Sequence, residues 1–226
     1  MQLQFEISTE QDSTMTVEVN HLVIAGWAGR DKDAVMHHIR ELEALGVPAP
    51  GAVPLFYRVA AQQLTQDGVL EVVGEQTSGE AEPFIFFTQG EWWVSLASDH
   101  TDRQLETVSV ALSKQVCIKP VAAMAWRMSE VLEHWDSLQL SSQIKEQGEW
   151  VNYQQGTLAA LLPPGDLIER YSAIKEAGEG LAISCGTLAA LGGIRPANEF
   201  RMELYDPVLK RTISHQYTTE CLPVVA

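Results

Sequence analysis

Two short apolar runs, Phe84-Ile85-Phe86-Phe87-Thr88 and Glu91-Trp92-Trp93-Val94-Ser95-Leu96, flank Gln89-Gly90. A dipeptide ending in glycine between β-rich segments predicts a tight hairpin, so the middle of the chain is committed to antiparallel sheet. This hairpin has acidic residues at both of its open ends. Glu80 and Glu82 precede the first strand and Asp99 follows the second. Alternation puts Glu80 and Glu82 on one face, roughly 6–7 Å apart. The antiparallel return then brings Asp99 beside them.

Carboxylates gathered this way repel by about 2–3 kcal/mol per pair at an effective dielectric near 20, so their burial calls for a cation. An oxygen-only ligand set suits a hard ion such as magnesium, calcium or manganese better than zinc. Read in isolation, a Glu-x-Glu pair is more often a solvated sheet edge than a metal site. His38 and Glu41, three residues apart on an expected helix, are spaced for a carboxylate to orient an imidazole, or for an ordinary surface pair.

The chain has 226 residues, 46% of them apolar and 20% charged, which is enough for a substantial core in a single domain over 1–226. Thirty acidic against fifteen basic residues give a net charge of -15, which opposes binding to nucleic acid and to anionic membranes. Cys117, Cys185 and Cys221 are widely spaced, without a Cys-x-x-Cys pair, and read as reduced thiols. There is no signal-like N-terminal segment and no apolar run of membrane-spanning length, so a cytoplasmic protein is expected.

Strands are expected over 2–7, 15–25, 55–59, 69–73 and 84–96, with a helix over 31–45 capped by Asp31 and stopped at Gly46. The 102–114 and 124–137 stretches are helix-compatible, and a further helix runs from Asp166 towards Ala177. Leu181 to Thr187 reads as a buried strand ending in a turn, and 200–217 as a hairpin turning near Asp206-Pro207. The elements lack the strand-helix-strand rhythm of a doubly wound sheet, so a mixed α+β fold is expected. Phosphate-loop, dinucleotide and serine-hydrolase motifs do not occur.

Several motifs occur together in an informative order: His38-Ile39-Arg40-Glu41, Glu80-Ala81-Glu82, Asp99-His100-Thr101-Asp102-Arg103, Lys114 and Cys185-Gly186-Thr187-Leu188. In this the chain resembles the fumarylacetoacetate hydrolase superfamily, and most closely a bacterial branch of unknown function. The resemblance implies an α+β fold built as a mixed-sheet β-roll with a few peripheral helices, as a homodimer. It implies Mg2+ or Mn2+ held by Glu80, Glu82 and Asp99, with His38, Glu41 and Lys114 as catalytic residues. His37 is the rival to His38. Arg58, Arg103 and Thr187 would bind the substrate, a small carboxylic acid of the 2-oxo or 1,3-dicarbonyl type. Hydrolysis of a C–C bond, decarboxylation, hydration or tautomerisation would all be served by such a site. The alternative is a non-catalytic protein that binds a small acid on the same fold.

Overall fold

The structure is a computed structural model that describes residues 1–7, 13–44, 49–223 and 225; the side chains at 38, 41, 42 and 44 also lie outside the described residues. β1 (Gln2–Ile7) and β2 (Ser13–Glu18) form an antiparallel pair, and β3 (His21–Gly26) precedes α1 (Lys32–Ala44). Asp31 caps α1 by accepting from the Asp33 and Ala34 amides at 2.9 and 3.0 Å. The expected stop at Gly46 lies outside the described residues. β4 (Leu55–Val59) pairs antiparallel with β3, and β5 (Leu64–Thr65), β6 (Val69–Val73) and β7 (Thr77–Ser78) follow.

β8 (Ala81–Thr88) and β9 (Glu91–Ser98) are the expected hairpin. Gln89 and Gly90 have φ of 54° and 80°, the doubly left-handed turn whose twist matches that of the strands. Beyond it lie β10 (Thr101–Asp102), α2 (Arg103–Glu106), α3 (Val110–Gln115), β11 (Lys119–Pro120), β12 (Met124–Arg127) and α4 (Met128–Val131). The last third comprises β13 (Gln139–Glu146), β14 (Glu149–Thr157), α5 (Pro164–Ser172), β15 (Leu181–Ser184), β16 (Glu199–Asp206) and β17 (Arg211–Leu222).

Eight strands form one sheet in the order β2-β1-β12-β9-β8-β15-β3-β4, and five form another, β14-β13-β16-β17-β6. β2 and β3 lie six positions apart, about 29 Å in a flat sheet. Only Val19 and Asn20 connect them, a span of about 11 Å at full extension. The larger sheet must therefore curl until its two ends meet. Its inner face packs Leu3, Phe5, Leu22, Ile24, Phe84 and Phe86 together, with the Phe5 and Phe86 rings stacked at 4.6 Å. Its other face, carrying Val23, Ile85, Val94 and Trp126, packs on Leu140, Met202, Leu204 and Tyr217 of the second sheet. The α+β fold with mixed sheets is as expected.

Four local expectations are corrected. The 15–25 run is two strands, because the chain leaves the edge beside β1 at Val19 and joins β15 from His21. Residues 124–127 are a strand rather than the start of a helix; Ala125 packs on one face and Trp126 on the other, as an interior strand requires. The 102–114 helix is two short helices, because Ser109 caps a second one by accepting from the Leu112 amide. The 166–177 helix begins earlier, at Pro164, and ends at Ser172.

The β16–β17 turn is held by Asp206. Its buried carboxylate accepts from the Val208 and Leu209 amides at 3.0 and 3.1 Å and lies 3.0 Å from His134 Nε2. Burial alone would raise its pKa, but these donors hold it below the usual carboxylate value. Asp206→Ala is expected to cost about 2–3 kcal/mol at neutral pH, measured by urea unfolding. Because the folded pKa is the lower one, this contribution is present above the unfolded value and fades as pH falls through the folded one.

Candidate metal centre

The open end of the β8–β9 hairpin continues one pair beyond Ala81 and Ser98, so that the Asp99 amide donates to the Glu80 carbonyl at 2.9 Å. Glu80, Glu82, Phe84 and Phe86 then alternate onto the inner face of the curled sheet. One carboxylate oxygen each from Glu80, Glu82 and Asp99 lies within 4.8 Å of the others. Glu82 is 2% exposed and Asp99 1%, whereas Glu80 is half-buried.

Cations surround two of the three acids. Lys114 Nζ bonds to Asp99 and lies 3.6 Å from Glu80, and Lys119 Nζ lies 3.0 Å from the other Asp99 oxygen. Arg103 pairs with Glu80 at 3.1 Å and Glu106 at 2.9 Å and donates to Ser78 at 2.7 Å. Burial would raise the Asp99 pKa, yet Lys114 and Lys119 pull it down to about 2. The Lys114 ammonium, despite burial, is held above its ordinary pKa by Asp99, Glu80 and Glu82.

Among the described residues no cation pairs directly with Glu82, and Lys114, bonded to Asp99, offsets its charge only in part. Glu82 Oε2 accepts from the Gly186 amide at 3.1 Å, while burial and then the charges of Asp99 and Glu80 push its pKa up to about 8. A buried carboxyl whose pKa is raised by burial and by its acidic neighbours is one that a bound cation would bring back down. The residues therefore fit a hard divalent ion.

The turn after β15 supports Glu82. Gly186 has φ +91°, and a Cβ there would come within 2.8 Å of the Ala28 Cβ, so only glycine presents its amide to Glu82 without strain. Thr187 donates to the Ala81 carbonyl at 2.8 Å and accepts from Gln154. The buried Gln154 amide also accepts from the Ala81 amide at 2.9 Å and Ser142 at 2.7 Å, and donates to the Leu188 carbonyl at 2.7 Å. One side chain thus ties β8, β13 and the turn together. Gln154→Leu is expected to destabilise by about 3 kcal/mol or more in urea unfolding, because it strands the buried groups at its four contacts.

The other sequence-assigned residues are distributed unevenly. Arg103 and Thr187 reach the cluster, where both donate to protein groups. Arg58 does not reach it: alternation along β4 sends Tyr57 towards the cluster, 5.9 Å from ring centroid to Lys114 Nζ, and Arg58 to the opposite face. The His38 and Glu41 side chains lie outside the described residues, on α1; His37 is exposed. His100 bonds to Tyr217 at 3.0 Å, and burial lowers its pKa to about 3, so it is a neutral, packed imidazole. The three cysteines are free, and burial raises the Cys185 thiol above its ordinary pKa.

Lys119, Tyr57 and Gln154 escaped the sequence reading. Lys119 sits between Ile118 and Pro120 with no motif to mark it, and Gln154 lies in an alternating strand like any other polar residue. Tyr57 was one residue from Arg58, and in a period-two element that exchanges faces.

DUF2848, a family of proteins of unknown function, matches residues 25–217, which contain every acid and lysine of the cluster. No curated protein sequence matches the chain. Among solved structures, yeast ynq8, a fumarylacetoacetate hydrolase family protein, superposes with a TM-score of 0.66 at 14% identity over 92% of this chain and 96% of its own. A 2-keto-3-deoxy-D-arabinonate dehydratase complexed with magnesium and 2,5-dioxopentanoate gives 0.64 at 10% identity over 96% and 79%. Cg1458 gives 0.62 at 13% identity over 96% and 83%. The chain therefore belongs to the DUF2848 family, and its fold is that of the fumarylacetoacetate hydrolase family.

Proposed function

We propose that this protein is a divalent-metal-dependent enzyme acting on a small 2-oxo or 1,3-dicarbonyl acid. The observation that carries the reading is the buried Glu82 carboxyl, converging with Glu80 and Asp99 but without an ion pair of its own among the described residues. Magnesium or manganese held there would supply a fixed positive charge against the negative charge that develops on a keto oxygen. The same fold carries magnesium and a dioxo acid in the dehydratase, which supports the substrate class.

Asp99 and Glu80 orient the Lys114 ammonium over this end of the sheet, where it adds a second positive charge beside the reacting oxygen. Arg103 fixes the Glu80 carboxylate, and the Gly186 amide fixes that of Glu82. The Tyr57 ring forms a wall beside Lys114. His38 with Glu41 on α1 is the proposed proton-transfer pair.

The test is turnover of oxaloacetate, acylpyruvates and 2-oxo-pentenoates with Mg2+ or Mn2+. Metal-dependent turnover is expected, abolished by EDTA and lowered about 100-fold or more by Lys114→Ala. Turnover that persists in EDTA, or none with any of these acids, would overturn the reading.

A further inference from the structure

On the face of β3–β4 away from the acidic cluster, His21, Arg58, Tyr171 and Lys175 come together. Phe56 and Arg58 share this face, and Phe56 packs edge-on against Tyr171 at 5.3 Å. Arg58 reaches along β3 and donates to the Leu22 carbonyl at 2.9 Å and the Asn20 carbonyl at 3.3 Å, which brackets His21. Lys175 Nζ lies 3.2 Å from His21 Nδ1, and His21 Nε2 lies 2.5 Å from the Tyr171 hydroxyl.

These contacts fix where the protons are. An ammonium can only donate, so Nδ1 must present its lone pair to Lys175. The neutral ring then carries its proton on Nε2, which donates to the Tyr171 oxygen. Burial, Arg58 and Lys175 all lower the His21 pKa, in keeping with a neutral ring. The Tyr171 proton must therefore point elsewhere, and it has no acceptor among the described residues. Arg58 cannot serve, because a guanidinium has no acceptor.

The row of donors thus runs one way, from Lys175 through His21 to Tyr171, and ends on an unused O–H. The charges that act on His21 are both positive, and Arg58 is the one that acts on Tyr171. In a chain of net charge -15, neither cation has a carboxylate partner among the described residues. Arg58 and Lys175 are exposed and His21 half-buried, whereas Tyr171 is 5% exposed, so a ligand approaches its hydroxyl past the two cations.

We propose that Tyr171, Lys175 and Arg58, organised around His21, form a second binding site, for a small oxyanion of the phosphate or carboxylate type. The anion accepts from the Tyr171 hydroxyl and lies against the two cations. The guanidinium, with one nitrogen on the Leu22 carbonyl of β3 and the other on the Asn20 carbonyl just before it, is pre-positioned for it.

Titration calorimetry with inorganic phosphate and with succinate, at constant ionic strength in EDTA, tests the site while the acidic cluster is kept metal-free. Binding of either anion is expected, and the arm that binds identifies the ligand class. Tyr171→Phe keeps the ring packing on Phe56 and removes only the hydroxyl; it should weaken binding about 10-fold. Arg58→Gln with Lys175→Gln should abolish it, with unchanged circular dichroism confirming the fold. Absence of binding by either anion, or equal affinity in wild type and Tyr171→Phe, would overturn the assignment.

Discussion

Glu82→Gln is expected to abolish the magnesium-dependent rise in melting temperature that the proposed site predicts for the wild type. At a metal concentration 100 times the dissociation constant, the ion contributes about 2.7 kcal/mol, or about 5–10 °C for a chain of this size. The amide keeps the shape of the side chain and its contact with Gly186, but removes the charge that the proposed ion would bind. In EDTA the same substitution has a second signature. With its folded pKa pushed to about 8 from 4.5, Glu82 takes up a proton on folding between those values. The metal-free wild type therefore loses stability as pH rises through that window, whereas the variant does not. Thermal melts with and without magnesium, from about pH 5 to about pH 8, read both effects. A magnesium response equal in the two proteins would remove Glu82 from the proposed ligand set.

The second large effect is expected at Lys119. Lys119 is 2% exposed, and its ammonium lies between an Asp99 oxygen and the His100 carbonyl, with no other acid paired to it among the described residues. Lys119→Met leaves half of a buried carboxylate uncompensated and should cost about 3–5 kcal/mol, lowering the melting temperature by about 10 °C. Adding Asp99→Asn should recover part of that loss, because the stranded charge is then gone. The sign for Asp99 is opposite to that for Glu82. Held down at about 2, it stabilises the fold above its ordinary pKa of 3.8, and that contribution is lost as pH falls through the folded value. A Lys119→Met loss below about 1 kcal/mol would mean that solvent already screens this pair.

The two predictions also show what was legible beforehand. The acidic triad could be read because a hairpin is local: a two-residue turn and period-two alternation relate Glu80, Glu82 and Asp99 without reference to any other segment. Lys119 could not, because β11 meets this region through the pairing of Lys119 with Leu64, which no local rule encodes. Arg58 shows the limit of residue chemistry alone. A guanidinium suited to a carboxylate was assigned to the right strand but stands on its other face, among His21, Tyr171 and Lys175.

Fold followed the same division. The β8–β9 and β16–β17 hairpins, the α1 cap at Asp31 and the buried β15 were all readable, each set by contacts within a few residues or by a continuous apolar run. The 124–127 strand was not, since Met124-Ala125-Trp126 is apolar throughout and its period is undefined until β1 and β9 enclose it.

By itself, the sequence determined the hairpin, the three acids at its open end and a balance of charge that disfavours polyanions. The curl of the eight-stranded sheet was decided only in three dimensions, where a two-residue link between distant strands forces the ends together. That closure directs the acids inward, seats Lys114 and Lys119 against Asp99, and leaves Glu82 without an ion pair of its own among the described residues. The physical reason is range: turns and alternation act over a few residues, whereas burial and ion pairing depend on segments that meet only when the sheet closes.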